Sequence, residues 1–223
     1  GRFDVSLSMT PSVVADVLQP RCGTVRETLR RNIALRGGRL KQAAKRVGLA
    51  FNPKQLLLLA REWRTLNRPQ LRKIAAISRY AADQLFHHYT IPPKRTQIIP
   101  NAAEAAVPDD DERGELRQRT RRSLGLEDDE VAFLFVAMNP RLKGAFPLCR
   151  AMQRLVRDHP EARLLIAGDM PWPVLREIQR RRLTDVARII GPTRQMRTLY
   201  LAADVTVLPT FYDPSSKVVL ESL

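Results

Sequence analysis

The fold is decided by residues 189–223, which read IIGPTRQMRTLYLAADVTVLPTFYDPSSKVVLESL. An apolar run ends at Pro209, a short polar loop follows over 210–216, and a run with helical periodicity then begins. This order predicts a strand, a loop and a helix start. A helix start presents unpaired backbone N–H groups and the positive end of the helix dipole. The stretch therefore suits an anion such as a diphosphate.

Two carboxylates bracket this loop, Asp213 within it and Glu221 in the helix that follows. Carboxylates accept hydrogen bonds from hydroxyl groups, so beside an anion site they fit the hydroxyls of an attached sugar or ribose. The spacing, Asp213-x7-Glu221, resembles the donor-site signature of the family 4 glycosyltransferases of GT-B fold. The sequence of this loop and helix is similar to that of bacterial lipopolysaccharide-core-type members of the family. An ordinary βα unit with a surface Asp and a helical Glu is the alternative that this loop alone leaves open.

Strands alternate with helices throughout the second half of the chain. The predicted strands are 131–138, 163–167, 186–190 and 205–208, and the predicted helices are 146–157, 172–182 and 193–202. Such alternation predicts a parallel sheet with helices on both faces, whose ligands lie beyond the carboxyl ends of the strands.

The loop after the first of these strands, residues 139–144, reads NPRLKG. Arg141 can fork onto two phosphate oxygens, Lys143 supplies a compact positive charge, and Gly144 permits a close backbone approach. This loop resembles the family's Arg…Lys-Gly element, which implies that it holds the donor diphosphate and stabilises the charge that develops as it leaves.

The first half of the chain predicts a partial sheet of its own. Strands are expected at 3–7, 73–78 and 95–99, and helices at 24–49 (broken at Gly37-Gly38), 53–66 and 79–89. Residues 102–125 form a charge-dense connection with a helix of acidic start and basic end. We therefore expect a domain over 1–125 and a second over 126–223. Both are expected to be incomplete Rossmann-like domains of a longer enzyme.

Composition narrows the classes of protein. Two cysteines without a CxxC argue against a disulfide scaffold and a zinc site, and we expect no metal.

Residues 1–125 carry 24 Lys/Arg against 11 Asp/Glu, while 126–223 carry 14 against 12. The basic half indicates an acidic partner, such as anionic lipid headgroups, a phosphorylated glycolipid or nucleic acid. A solvated arginine-rich surface is the alternative.

The resemblance implies a role for particular residues. Arg141, Lys143 and Asp213 are expected to act in catalysis, the first two on the diphosphate and Asp213 on the transferred sugar. The expected donor-binding residues are Glu221 (on the ribose), Ser215, Ser216, Lys217, Gly144 and, around the nucleobase, Gly168, Gly191 and Thr193. Thr10 and Asn101 are expected on the acceptor side, where Met9 replaces the His that many members carry.

The implied function is a retaining, hexosyl-type, metal-independent glycosyltransferase without a cofactor. It would move a sugar from a nucleotide-sugar, most often a UDP-sugar, to a glycan or glycolipid acceptor in cell-envelope or lipopolysaccharide biosynthesis. The expected location is cytoplasmic, peripheral on the inner face of the plasma membrane, with no nucleic acid bound. A nucleotide-sugar epimerase of the same architecture and a basic nucleic-acid-binding α/β protein are the alternatives.

Overall fold

A computed structural model describes residues 3–11, 13–103 and 109–223. Within these ranges the strands are β1 (Leu7–Ser8), β2 (Val17–Leu18), β3 (Lys73–Ala76), β4 (Thr96–Ile98), β5 (Val131–Ala137), β6 (Ala162–Gly168), β7 (Ala187–Gly191) and β8 (Val205–Thr206). The α-helices are α1 (Val25–Ala34), α2 (Arg39–Ala50), α3 (Pro53–Leu66), α4 (Arg79–Tyr89), α5 (Asp110–Ser123), α6 (Pro140–Lys143), α7 (Ala145–Asp158), α8 (Trp172–Arg180), α9 (Met196–Ala202) and α10 (Lys217–Glu221).

The chain forms two compact units. The first unit comprises 1–101 together with 212–215, and the second comprises 102–211 together with 216–223. Each unit holds one parallel four-stranded sheet. The predicted class, α/β with two Rossmann-like parallel sheets, is confirmed.

The sheet of the first unit has the order β1-β2-β3-β4, and its strands are short. The strand predicted over 3–7 is only Leu7–Ser8, and β2 was not predicted. A two-residue strand such as Val17–Leu18 is too short to show a period of two. The apolar core of this unit lies between the sheet and α4, around Leu18, Ile74 and Leu85.

The helices of the first unit begin where local chemistry supports a start. Thr24, Asn52 and Ser78 each accept a backbone N–H with their side chains at the N-caps of α1, α3 and α4. The helices predicted over 53–66 and 79–89 are confirmed, and the break at Gly37-Gly38 separates α1 from α2.

The sheet of the second unit has the order β7-β6-β5-β8. Strands β5 and β6 pair over seven residues, from Val131 with Ala162 to Ala137 with Gly168. Both faces are apolar. Phe135 and Ile166 belong to the cluster with Met152 of α7, while Leu134 and Leu165 belong to the cluster with Leu199 of α9. A strand that is buried on both faces reads as a continuous apolar run, which is why β5 was predicted from the sequence.

Helix α5 belongs to the second unit, so the units divide after Asn101 rather than at the predicted boundary of 125/126. Arg117 donates to the backbone oxygens of Leu201 and Ala203 at 2.8 and 3.0 Å. Arg121 is buried and donates to the backbone oxygen of Glu130 at 2.6 Å. Residues of the charge-dense connection therefore fasten α5 to the second unit.

Within the described ranges, no helix combines the length and the apolar character that crossing a membrane requires.

Candidate donor site

The strand order of the second unit places two loops at one point of the sheet. Along the chain β5, β6 and β7 run to one side, and β8 then lies on the other side of β5. In an open parallel sheet, the crevice for a ligand lies at the carboxyl ends of the strands where the order reverses. Here that point lies between β5 and β8, so the loops that follow these two strands flank it.

The two loops are in contact. The backbone N–H of Phe211 donates to the backbone oxygen of Leu142 at 3.0 Å. Gly144 has φ +92°, and a Cβ placed on it would lie 2.0 Å from the backbone oxygen of Pro209. Only glycine fits this position, because a side chain would overlap a carbonyl group. Gly144 therefore packs against the β8 loop, and its predicted approach to the donor diphosphate stays a prediction.

Arg141 and Lys143 lie on a single helical turn, although the sequence predicted an irregular loop for residues 139–144. Asn139 lies shortly after β5 and caps α6, since its side-chain oxygen accepts the N–H of Leu142 at 3.2 Å. Pro140 occupies the first helical position, where its missing N–H costs nothing. The Arg141 guanidinium carbon lies 6.0 Å from the centre of the Phe146 ring, so the side chain rests on an aromatic face.

Glu221 is the last residue of α10. The Tyr200 hydroxyl donates to Glu221 Oε2 at 3.2 Å, and Lys217 Nζ lies 4.0 Å from Oε1. Burial, and then the neighbouring negative charge, raise the pKa of Tyr200, so it stays a donor. The sequence did not predict Tyr200, because its partner lies 21 positions away and no local pattern joins them.

Gly168, Gly191 and Thr193, which were predicted around the nucleobase, differ in what surrounds them. Gly168 has φ +104°, and a Cβ there would lie 2.2 Å from the backbone oxygen of Ala137, so strand pairing alone explains this glycine. Gly191 has φ +77° and open space beside it, and Thr193 accepts the N–H of Gln195 at 3.1 Å. Their role around a nucleobase stays a prediction.

The helix start predicted after the β8 loop is confirmed at Lys217. Ser216 is the N-cap of α10, and its Oγ accepts the N–H of Val219 at 3.3 Å. Lys217 is exposed at the first helical position.

Residues 212–215 of the β8 loop belong to the first unit. Tyr212 is only 5% exposed, and its hydroxyl lies 3.0 Å from the backbone oxygen of Cys22 and 2.9 Å from Gln84 Oε1. Its ring meets Tyr80 edge-on at 6.1 Å between centroids. Burial raises the pKa of Tyr212 to about 12. Neither Tyr212 nor Gln84 was predicted, since only the fold brings them together.

Asn101 and Ser215 are brought together in the first unit. Asn101 Nδ2 donates to Ser215 Oγ at 3.1 Å and to its backbone oxygen at 3.3 Å. The half-buried Asp213 lies in the same segment of the first unit, residues 212–215. Thr10 is exposed, and its N–H donates to Ser8 Oγ at 3.3 Å. The acceptor-side role of Thr10 stays a prediction.

Residues 130–223 match the family described as "Glycosyl transferases group 1". This part of the chain is similar to that family. The match spans both loops of the β5/β8 crevice.

Curated glycosyltransferases are similar to this chain over a longer stretch. An uncharacterized glycosyltransferase of Methanocaldococcus jannaschii is 29% identical over 158 residues, which are 68% of this chain and 40% of the relative. A D-inositol 3-phosphate glycosyltransferase of Corynebacterium kroppenstedtii is 28% identical over 155 residues, which are 63% of this chain and 33% of the relative. The matched stretch therefore covers well under half of either relative.

Solved structures confirm the GT-B fold over almost the whole chain. WaaG, a glycosyltransferase involved in lipopolysaccharide biosynthesis, is similar with a TM-score of 0.78 and 17% identity, covering 99% of this chain and 57% of that chain. HepE of Anabaena, solved in complex with UDP-glucose, is similar with a TM-score of 0.62 and 16% identity, covering 93% and 57%.

Proposed function

We propose that this chain is part of a retaining glycosyltransferase that moves a hexose from a nucleotide-sugar, in first place a UDP-sugar, to a glycan or lipid-linked acceptor. The observation that carries the proposal is the pair of touching loops at the β5/β8 crevice, one with Arg141 and Lys143 and the other leading to Glu221. The UDP-glucose bound to the similar HepE structure and the group 1 match support a nucleotide-sugar donor.

Each site residue has a chemical task in this proposal. Arg141 and Lys143 bind the donor diphosphate and offset the negative charge that grows on it as the sugar leaves. Glu221 accepts hydrogen bonds from the ribose hydroxyls, and Tyr200 and Lys217 hold its carboxylate in place. Asp213 contacts sugar hydroxyls, while the backbone at 215–217 lies against phosphate or sugar. The leaving phosphate takes the acceptor proton, so no metal and no protein base are assigned.

The donor assignment is tested with the full-length protein that carries this sequence. Titration of UDP into wild type and Glu221→Gln should show a loss of about 1.5–3 kcal/mol in affinity, because the variant replaces one charged acceptor by an amide. Glu115→Gln on α5, also an exposed Glu of the second unit, is the matched control and should bind normally.

Turnover supplies the second readout for the same site. Arg141→Ala should lower kcat by roughly 10²–10³, the usual effect of removing one charge-stabilising donor. Arg150→Ala on the exposed side of α7 should not. Normal UDP affinity in Glu221→Gln together with normal kcat in Arg141→Ala would remove the donor assignment.

We also propose an anionic membrane surface as a partner of the first unit, with the enzyme peripheral on the cytoplasmic face in envelope or lipopolysaccharide biosynthesis. The first unit carries 19 Lys/Arg against 6 Asp/Glu. The protein should co-sediment with anionic vesicles at low salt. The bound fraction should fall sharply at about 0.5 M salt, where exposed charges are screened. Equal binding to neutral vesicles would contradict the proposal.

A further inference from the structure

Helices α1, α2 and α3 of the first unit form the walls of an open groove of about 360 Å³. Its lining combines apolar residues, here called the floor, with three arginines and a glutamine, here called the rim. The apolar residues are Leu29, Ile33, Leu49, Ala50, Leu56 and Leu59, and the polar ones are Arg26, Arg30, Arg46 and Gln55.

The rim is cationic, and the ion pair that Arg30 makes with Glu27 is a long one. Among the described residues that line the groove, none is acidic. Glu27 lies 3.8 Å from Arg30, but its carboxylate already binds Arg31 at 2.6 Å and His88 at 2.9 Å. Arg30 keeps a largely exposed side chain, so its charge is available to an anion.

The surroundings of the groove are apolar as well. On α2 and at its end, Leu40 is 89% exposed and Phe51 is 81% exposed, and Val47 lies between them. Exposed apolar side chains beside an arginine-rich groove fit the boundary between lipid headgroups and acyl chains. A small hydrophilic anion would use the rim and leave the floor uncovered.

We propose that this groove binds one molecule of a phosphate-bearing membrane lipid. The headgroup phosphate lies at Arg26, Arg30 and Arg46, and an acyl chain covers the floor around Leu29 and Leu56. The inference rests on the proposed membrane partner and deepens it, since it assigns a saturable site with a defined ligand where surface charge alone gives diffuse attraction.

The test uses a lipid that is soluble as a monomer. Dihexanoyl phosphatidic acid, titrated below its critical micelle concentration and followed by calorimetry, should bind saturably with a 1:1 stoichiometry. Inorganic phosphate tests the rim alone, and dihexanoylglycerol, which lacks the phosphate, tests the floor alone. Both should bind at least roughly tenfold more weakly, because one lacks the acyl chains that contact the apolar residues and the other lacks the phosphate that contacts the arginines. Each methylene removed from the chain should cost about fourfold in affinity.

Matched variants locate the site. Arg30→Gln with Arg46→Gln should weaken binding at least roughly tenfold, since each removes a charge-assisted hydrogen bond. Arg61→Gln with Arg64→Gln, exposed on α3 away from the groove, should not. Leu56→Ser should weaken binding, whereas Leu57→Ser should not. These two leucines are 48% and 50% exposed, but only Leu56 lines the groove, and neither change should unfold the helix.

Two results would overturn the assignment. One is that inorganic phosphate binds as tightly as the lipid, and the other is that the control pairs lose as much affinity as the groove pairs. If anionic vesicles bind while the monomeric lipid does not, the groove assignment fails and the proposed membrane partner stands. Unchanged UDP affinity in all groove variants separates this test from the donor site.

Discussion

The two sheets of this protein are held by different forces. Strands β5 and β6 of the second unit pair over seven residues and are apolar on both faces. The strands of the first unit span two to four residues, and two carboxylates, Glu27 and Glu62, are buried at 3% and 2% exposure among its helices. Long strands supply enough apolar area to close a core, whereas short ones leave room that polar networks fill.

The two buried carboxylates differ in the partners they have. Burial would raise the pKa of Glu27, but hydrogen bonds from His88 and Arg31 outweigh it and lower the pKa. Glu62 accepts the N–H of Val25 at 2.7 Å and a hydrogen bond from the Tyr89 hydroxyl. These are neutral donors, and burial therefore prevails and raises the pKa of Glu62. The first unit thus contains buried carboxylates that respond to pH, while the two apolar clusters of the second unit contain no carboxylate.

The largest effect is expected in the second unit at Gly144. Gly144→Ala should cost about 3–5 kcal/mol of unfolding free energy, because the new Cβ meets the Pro209 carbonyl and φ is +92°. Chemical denaturation measures it. Gly114→Ala on α5, where nothing lies within 4 Å, is the control and should stabilise by about 0.5–1 kcal/mol. Equal effects of the two changes would contradict the packing described for the β5 and β8 loops.

A smaller and pH-dependent effect is expected in the first unit at Glu27. Glu27→Gln should cost about 1–3 kcal/mol at pH 7, because it removes the charge that His88 and Arg31 bind. The folded-state pKa of Glu27 is lowered, so its stabilisation is complete above the ordinary value of 4.5 and is lost as the pH falls through the folded value. The difference between wild type and variant should therefore shrink below pH 4.5.

Glu62→Gln supplies the contrast for that measurement. The folded-state pKa of Glu62 is raised, so wild type gains stability relative to the variant as the pH falls. For each variant, the difference in denaturation midpoint between wild type and variant is measured between pH 3 and pH 7. As the pH falls, this difference should change in opposite directions for the two variants. Parallel changes would show that the two carboxylates do not differ in the way their partners indicate.

The smallest effect is expected at Tyr212, where the β8 loop is held in the first unit. Tyr212→Phe should cost about 0.5–1.5 kcal/mol, the net value of one hydrogen bond, because the ring packing is kept. Tyr80→Phe is the control, since its hydroxyl lies 3.4 Å from Glu27 and makes only a weak contact. Thermal unfolding compares them, and a larger loss in Tyr80→Phe would contradict the arrangement at Gln84.

The sequence determined the elements that have a strong local signal. The apolar run of β5 and the Gly37-Gly38 break each act within a few residues, so β5 and the helices on either side of the break were predicted close to their observed bounds. The Asp213-x7-Glu221 spacing and the NPRLKG loop predicted the family in the same way. The two-residue strand β2 and the helical turn at Pro140–Lys143 were not predicted. Elements this short contain too few residues to show a periodic pattern.

Only the tertiary structure decided which distant groups meet. Arg121 lies in the segment predicted as a charge-dense connection, yet it is buried, donates to the backbone oxygen of Glu130 and helps to hold α5 in the second unit. Tyr200 reaches Glu221, and Tyr212 reaches Gln84, across 21 and 128 positions of sequence. Local propensity and periodicity reach about one turn or one strand. The choice of partners for a buried guanidinium or hydroxyl is made only when folding removes water and each polar group must find a hydrogen bond.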